Sequence, residues 1–167
     1  MVLAACLRAN SAEERPVVDW SFADGTPYSD QAYCLAADHA GNLYVAASKG
    51  REERYPVVRR SGELYRKSDG VLYKFDPQRK QLWQFRSGGT GSAAFSGVYV
   101  TGDSHLLLTG SFQQEIILGE ARFRTTNEHG ARFVANVSSQ GTVQWAQILP
   151  GPGPAITAVT TLAETGG

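Results

Sequence analysis

The stretch LAADHAGNLYVAAS, residues 35–48, sets two short apolar runs on either side of a DHAGN turn, and the chain writes it again as VYVTGDSHLLLTGS at residues 98–111. Aligned without gaps, Leu35 meets Val98, Leu43 meets Leu106, Val45 meets Leu108 and Ser48 meets Ser111, an offset of 63 residues. Self-similarity at a fixed offset is the mark of a recurring supersecondary unit. The tryptophans give an independent check: Trp20, Trp83 and Trp145, all that the chain contains, stand 63 and 62 residues apart. A turn-rich segment follows each one: ADGTPYSD, RSGGTGSAA and PGPGPA. A third copy opens in AITAVTTLAETGG at residues 155–167, where Gly166 falls 62 residues after Ser104.

Within a unit the apolar runs are short, β-branched or aromatic, and separated by turn formers, which is strand and hairpin chemistry without helical periodicity. The best-covered unit predicts strands at 96–101, 105–112, 132–137 and 142–148. GDSH, SSQG, DHAGN and DPQRK supply the turns, since Asp, Asn, Ser and Gly tolerate tight or left-handed backbone. A small hairpin in EIILGEARFRTT lengthens the link between the second and third strands. Four antiparallel strands recurring at about 62 residues are the pattern of a β-propeller blade.

The expected fold is therefore all-β, an incomplete β-propeller of four-stranded antiparallel blades. Residues 17–22 are its closing strand, 32–86 blade 1, 96–148 blade 2 and 155–167 the start of blade 3. VVDWSF, with Trp20, reads as the outer strand of a unit whose other three strands do not precede it, as expected of a strand that seals a ring from its far end. Fewer than three blades cannot close a ring, so the sequence reads as a fragment with open blade faces. The expected partners of those faces are the remaining blades or a second copy. Trp at a fixed blade position is read as packing between tilted sheets.

The chain of 167 residues is 42% hydrophobic, which indicates a globular protein. Its 16 basic and 16 acidic residues balance, so no global field draws a polyanion and nucleic acid is not an expected partner. The basic stretch at 49–67 carries seven Lys or Arg against three Glu and reads as a solvated loop in an insert spanning 49–70. No run is long and apolar enough for a transmembrane segment. At the N-terminus, Leu3-Ala4-Ala5-Cys6 matches a bacterial lipobox, with Cys6 the lipidation position, yet only five residues precede it. Residues 1–16 are then a truncated lipoprotein signal and tether, or the match is chance. Cys34 lies in an apolar run and reads as a buried free thiol, with a disulfide to Cys6 as the alternative.

The residues 109–154, TGSFQQEIILGEARFRTTNEHGARFVANVSSQGTVQWAQILPGPGP, resemble one register of the SBBP-type β-propeller repeat of secreted and surface bacterial proteins. LYVAAS from Leu43 and LLLTGSF from Leu106 match its first element, while FVANVSSQGTVQWA from Phe133 and LYKFDPQRKQLWQF from Leu72 match its second. Asp38 has no acidic equivalent at Thr101, and the insert does not follow the pattern. The resemblance implies an extracytoplasmic binding scaffold, secreted or lipid-anchored in the cell envelope, with a protein or carbohydrate ligand. FDPQRKQLW is also similar to an element of PQQ-type quinoprotein propellers, which makes a piece of a propeller enzyme the rival expectation. A quinoprotein would need a calcium site that no motif here supplies.

No catalytic, metal or cofactor residues are expected. DHAGN lacks the alternating oxygen ligands of a calcium loop. His39, His105 and His129 lie in turns without ligand spacing. No G-x-S-x-G nucleophile elbow is present, and Glu13-Glu14 and Glu52-Glu53 sit in charged loops. The candidate binding loops are the turns after each tryptophan, at Gly25, at Gly88 and Gly91, and at Gly151 and Gly153, together with the insert, because propellers bind through loops on one face.

Overall fold

The computed structural model describes residues 2–8, 17–51, 57–58, 64–65, 67–102 and 105–149, with side chains from Trp20 onward outside 52–66. The third-copy segment at 155–167 and the loop glycines Gly151 and Gly153 lie outside the described residues, as does the Cys6 side chain.

The described chain is all strand and turn. Its strands are β1 (Val2–Arg8), β2 (Val17–Asp24), β3 (Gln31–Ala37), β4 (Leu43–Gly50), β5 (Val57–Val58), β6 (Leu64–Tyr65), β7 (Ser68–Phe75), β8 (Gln81–Arg86), β9 (Ala93–Val100), β10 (Leu106–Phe112), β11 (Glu115–Leu118), β12 (Ala121–Arg124), β13 (Ala131–Val137) and β14 (Val143–Leu149). They form two four-stranded antiparallel sheets of one strand order, β3-β4-β7-β8 and β9-β10-β13-β14. In each, a two-stranded hairpin interrupts the link between second and third strands: β5-β6 in the first, β11-β12 in the second.

Four hairpin turns share one construction. The N–H of the first residue donates to the carbonyl of the fifth in Asp38→Asn42, Asp76→Lys80, Thr101→His105 and Ser138→Thr142, at 2.8–3.0 Å. Gly41, Arg79 and Gly141, each the fourth residue of its turn, are left-handed at φ 83°, 68° and 86°, the geometry of a three-residue loop ending in a bulge. Thr101, where the sequence lacks an acid, still takes the part of Asp38: its N–H and its hydroxyl both donate to His105 O.

The core explains why the alternation in LYVAAS is so faint. β4 is the second strand of a sheet covered on both faces, so successive residues are all buried. Leu43, Val45 and Ala47 join Val71, Tyr73 and Phe75 on one face, against Trp20 and Phe22 of β2. Tyr44 and Ala46 join Leu72 on the other, against Phe95, Leu106, Leu108, Phe133, Ala135 and Val137 of the second sheet. Burial of this apolar surface is worth about 25 cal/mol per Å². Gly70 permits the closest approach, because a Cβ there would collide with the Phe95 ring, which stacks on Phe85 at 5.8 Å and meets Phe133 edge-on at 5.9 Å.

Several expectations change. Residues 2–8, read as signal and tether, form β1, antiparallel to β2. The Trp20 strand therefore has a strand before it, contrary to the expected lone closing strand. The insert is shorter than 49–70, since β4 runs to Gly50 and β7 begins at Ser68. The second sheet begins at Ala93, three residues ahead of the expected 96. Lys49 and Arg51 are not solvated: Lys49 Nζ pairs with Asp24 at 2.8 Å and Arg51 pairs with Asp69. Cys34 is a free thiol but only half-buried, with Sγ 3.6 Å from Val98 O.

Candidate functional site

An up-and-down sheet sends alternate connections to opposite ends. The hairpin turns at 38–42, 76–80, 101–105 and 138–142 occupy one end. At the other, the candidate loops 25–30 and 87–92 meet the insert. Gly50 packs under Tyr28, where a Cβ would lie 2.5 Å from the Tyr28 Cβ, and its N–H donates to Asp30 Oδ1 at 2.8 Å. Arg51, at the foot of the insert, donates to Gly89 O at 3.1 Å and Gly91 O at 3.4 Å. Gly25, Gly88 and Gly91 thus belong to one surface.

Each loop is held by a carboxylate beneath it. Asp30 accepts from the Thr26 N–H, the Thr26 hydroxyl at 2.8 Å and the Gly50 N–H. Burial alone would raise the pKa of Asp30, but the amino terminus outweighs it together with these donors, and the carboxyl is held below its ordinary value. Asp24 behaves likewise: burial opposes ionisation, and Lys49 together with the Tyr73 hydroxyl at 2.9 Å overcomes it. Asp69, 8% exposed, takes Arg51 on one oxygen and Arg86 Nε on the other at 2.7 Å. These pairs tie the ends of three segments into one platform.

The glycines of the second loop serve close packing. Gly88 and Ile117 exchange N–H to O bonds at 2.9 and 3.0 Å, and Gly91 N–H donates to Glu115 O at 3.1 Å. A Cβ on Gly91 would collide with Gln113 O, and Gly89 has φ 108°. Ser87 Oγ accepts from Gly70 N–H and Ser92 Oγ from Ser68 N–H. Thr90 and Gly88 remain exposed at the tip, as do Pro27 and Ser29 of the neighbouring loop. Beside them Ser68, Ser92, Ser111, Gln113 and His129 line a cleft of about 160 Å³. A larger groove of about 490 Å³ lies between Phe85 of β8, the β11-β12 turn and the start of β14, with Glu120, Gln144 and Trp145 on its walls.

The tryptophans divide in role. Trp20 meets Phe75 edge-on at 5.0 Å. Trp83 donates from Nε1 to Ser139 O at 3.1 Å and lies against Gly141, spanning the boundary between the sheets. Lys74 Nζ shares that carbonyl at 2.9 Å and stands 5.3 Å from the Tyr44 ring centroid. Trp145, at the matching place on the second sheet, is 44% exposed.

Asp38 is a turn residue. Its carboxylate takes the Asn42 N–H, the Asn42 side chain and the Tyr44 hydroxyl, at 2.7–3.1 Å. His105 Nδ1 lies 2.9 Å from Asn136 Oδ1, while His129 is exposed beside Glu128. Among the described residues no three His, Cys, Asp or Glu come together as a metal site, and no helix is long and apolar enough to cross a membrane.

The Arg51–Asp69–Arg86 cluster has no local signal in the sequence, because its members meet only once β4, β7 and β8 pair. No protein-family model matches the chain, and a search of curated proteins finds no relative.

Proposed function

We propose that this chain is a non-catalytic β-propeller repeat module of a secreted or cell-surface protein, and that it serves as a binding scaffold. The observation that carries this reading is the gathering of loops 25–30 and 87–92 on one end of a two-sheet frame, the first braced directly by Asp30 and the second by Asp69 through Arg51. Fixed loops on a rigid frame suit recognition, since little ordering entropy is lost on binding. The polar groups beneath the surface are spent on one another and on the loop backbone, which leaves the exposed tips at Pro27, Ser29, Gly88 and Thr90 to meet a ligand. The like strand order of the two sheets supports the propeller reading, and the SBBP resemblance supports the envelope setting.

Binding of the chain to arrays of bacterial envelope polysaccharides and to extracted surface proteins tests it. Ser29→Arg with Thr90→Arg should abolish whatever binding is found. Ala40→Arg with Gln140→Arg, at the opposite end, should leave it intact. Binding that survives the first pair and is lost with the second contradicts the assignment of the face.

A further inference from the structure

Three strand pairs carry the same irregularity. Trp20 stands opposite Cys6, and the next pair skips a residue to Val18 opposite Leu7. Trp83 stands opposite Lys74, followed by Gln81 opposite Phe75. Trp145 stands opposite Asn136, followed by Val143 opposite Val137. A bulge in one place is a specified feature of a sheet. By it, β1-β2 has the form of the last two strands of a four-stranded sheet, and the far edge of β1 is without a strand partner among the described residues.

The order of stacking repeats as well. β1 lies against β3 and β4, as β7 lies against β9. The face by which the first sheet meets the second, with Tyr44, Leu72, Lys74 and Trp83, has its counterpart on the second sheet in Leu107, Val134, Asn136 and Trp145. The first set is covered. The second is only partly buried, and Trp145 is 44% exposed. None of the four is charged. The residues that cover the first set include Phe133, Ala135 and Val137, and on β1 the same register positions belong to Leu3, Ala5 and Leu7.

We propose that two copies of this chain associate head to tail, the β1-β2 pair of each lying over the β13-β14 half of the other's open face. Head-to-tail contacts close into a ring when the rotation between copies allows it, and a two-fold relation closes the ring at two copies. Each contact extends the stacking already present within the chain, a face with Leu107, Val134 and Trp145 meeting an apolar strand. The formal net charge of zero sets no long-range repulsion against it. This inference rests on the reading of the fold as a succession of like sheets and names what covers the last of them.

Sedimentation of the full chain over a range of concentrations tests it, with folding of every variant checked by circular dichroism. The wild type should dimerise. Trp145→Arg spoils the receiving face and Ala5→Arg the covering strand, and each should raise the dimer Kd about tenfold or more, as an unpaired charge in an interface does. Gln147→Arg, at an exposed position beside Trp145, serves as a second variant of the receiving face. An equimolar mixture of Trp145→Arg and Ala5→Arg chains should recover association, because one unspoiled contact remains between unlike copies. A chain monomeric at every concentration overturns the inference, as does a dimer that the mixture fails to restore. Neither result touches the loop-face reading, which the binding experiment decides.

Discussion

Trp83 of the first sheet donates its indole N–H to Ser139 O in a turn of the second, 56 residues on, at 3.1 Å. This bond crosses the boundary between the sheets at the margin of the hydrophobic core, against which the half-buried Trp83 ring packs. It explains why a tryptophan serves here and why a glycine, Gly141, stands under its ring. A large apolar body with one donor suits a half-wet seam.

Trp83→Phe should cost about 1 kcal/mol, the net worth of one hydrogen bond, since Lys74 still satisfies the Ser139 carbonyl. Trp83→Ala should cost about 3 kcal/mol by opening a cavity. Trp145→Ala should stay under about 1 kcal/mol. Urea unfolding of the three variants at dilute concentration measures the order.

Gly70→Ala should destabilise by about 2 kcal/mol, because the new methyl group meets the Phe95 ring inside a filled core. Phe95→Leu in the Gly70→Ala background should recover part of the loss. A double-mutant cycle reads the coupling.

Arg79 holds a left-handed backbone at φ 68°, where the matching turns use Gly41 and Gly141. A side chain there costs roughly 1–2 kcal/mol, and glycine returns about half of that through unfolded-chain entropy. Arg79→Gly should therefore raise stability by about 0.5–1 kcal/mol, seen as a shift in urea midpoint without a change in slope.

Asp24, Asp30 and Asp38 all have folded pKa values below the ordinary 3.8. Their contribution is full above that value and is lost as pH falls through the lowered folded values. Tyr44 and Tyr73 are raised above 10.0, chiefly by burial and then by their bonds to Asp38 and Asp24. Unfolded tyrosines ionise first, so stability declines as pH rises past 10.0. Thermal melts across pH should show a plateau between these limits, with the acid edge moved by Asp24→Asn.

Much of this frame was legible in the sequence, for definite reasons. The strands of the second sheet alternate visibly because one of its faces is partly open, and Gly41 and Gly141 mark turns that need left-handed backbone. β1 was not legible: in VLAACLR small and apolar residues follow one another without alternation, which reads equally as a signal. Glycine was ambiguous at the loops, since Gly88 and Gly91, read as marks of a candidate binding loop, permit close backbone packing against β11. The Arg51–Asp69–Arg86 cluster and the exposure of Trp145 depend on neighbours that only pairing and stacking supply.

The stacking of the two sheets through Trp83 is tested most directly by nuclear Overhauser spectroscopy with indole hydrogen exchange. A contact between the Trp83 indole N–H and the Gly141 α-protons, with exchange far slower than at the Trp145 indole, is the predicted result. Absence of that contact, with Trp83 and Trp145 exchanging alike, would contradict it.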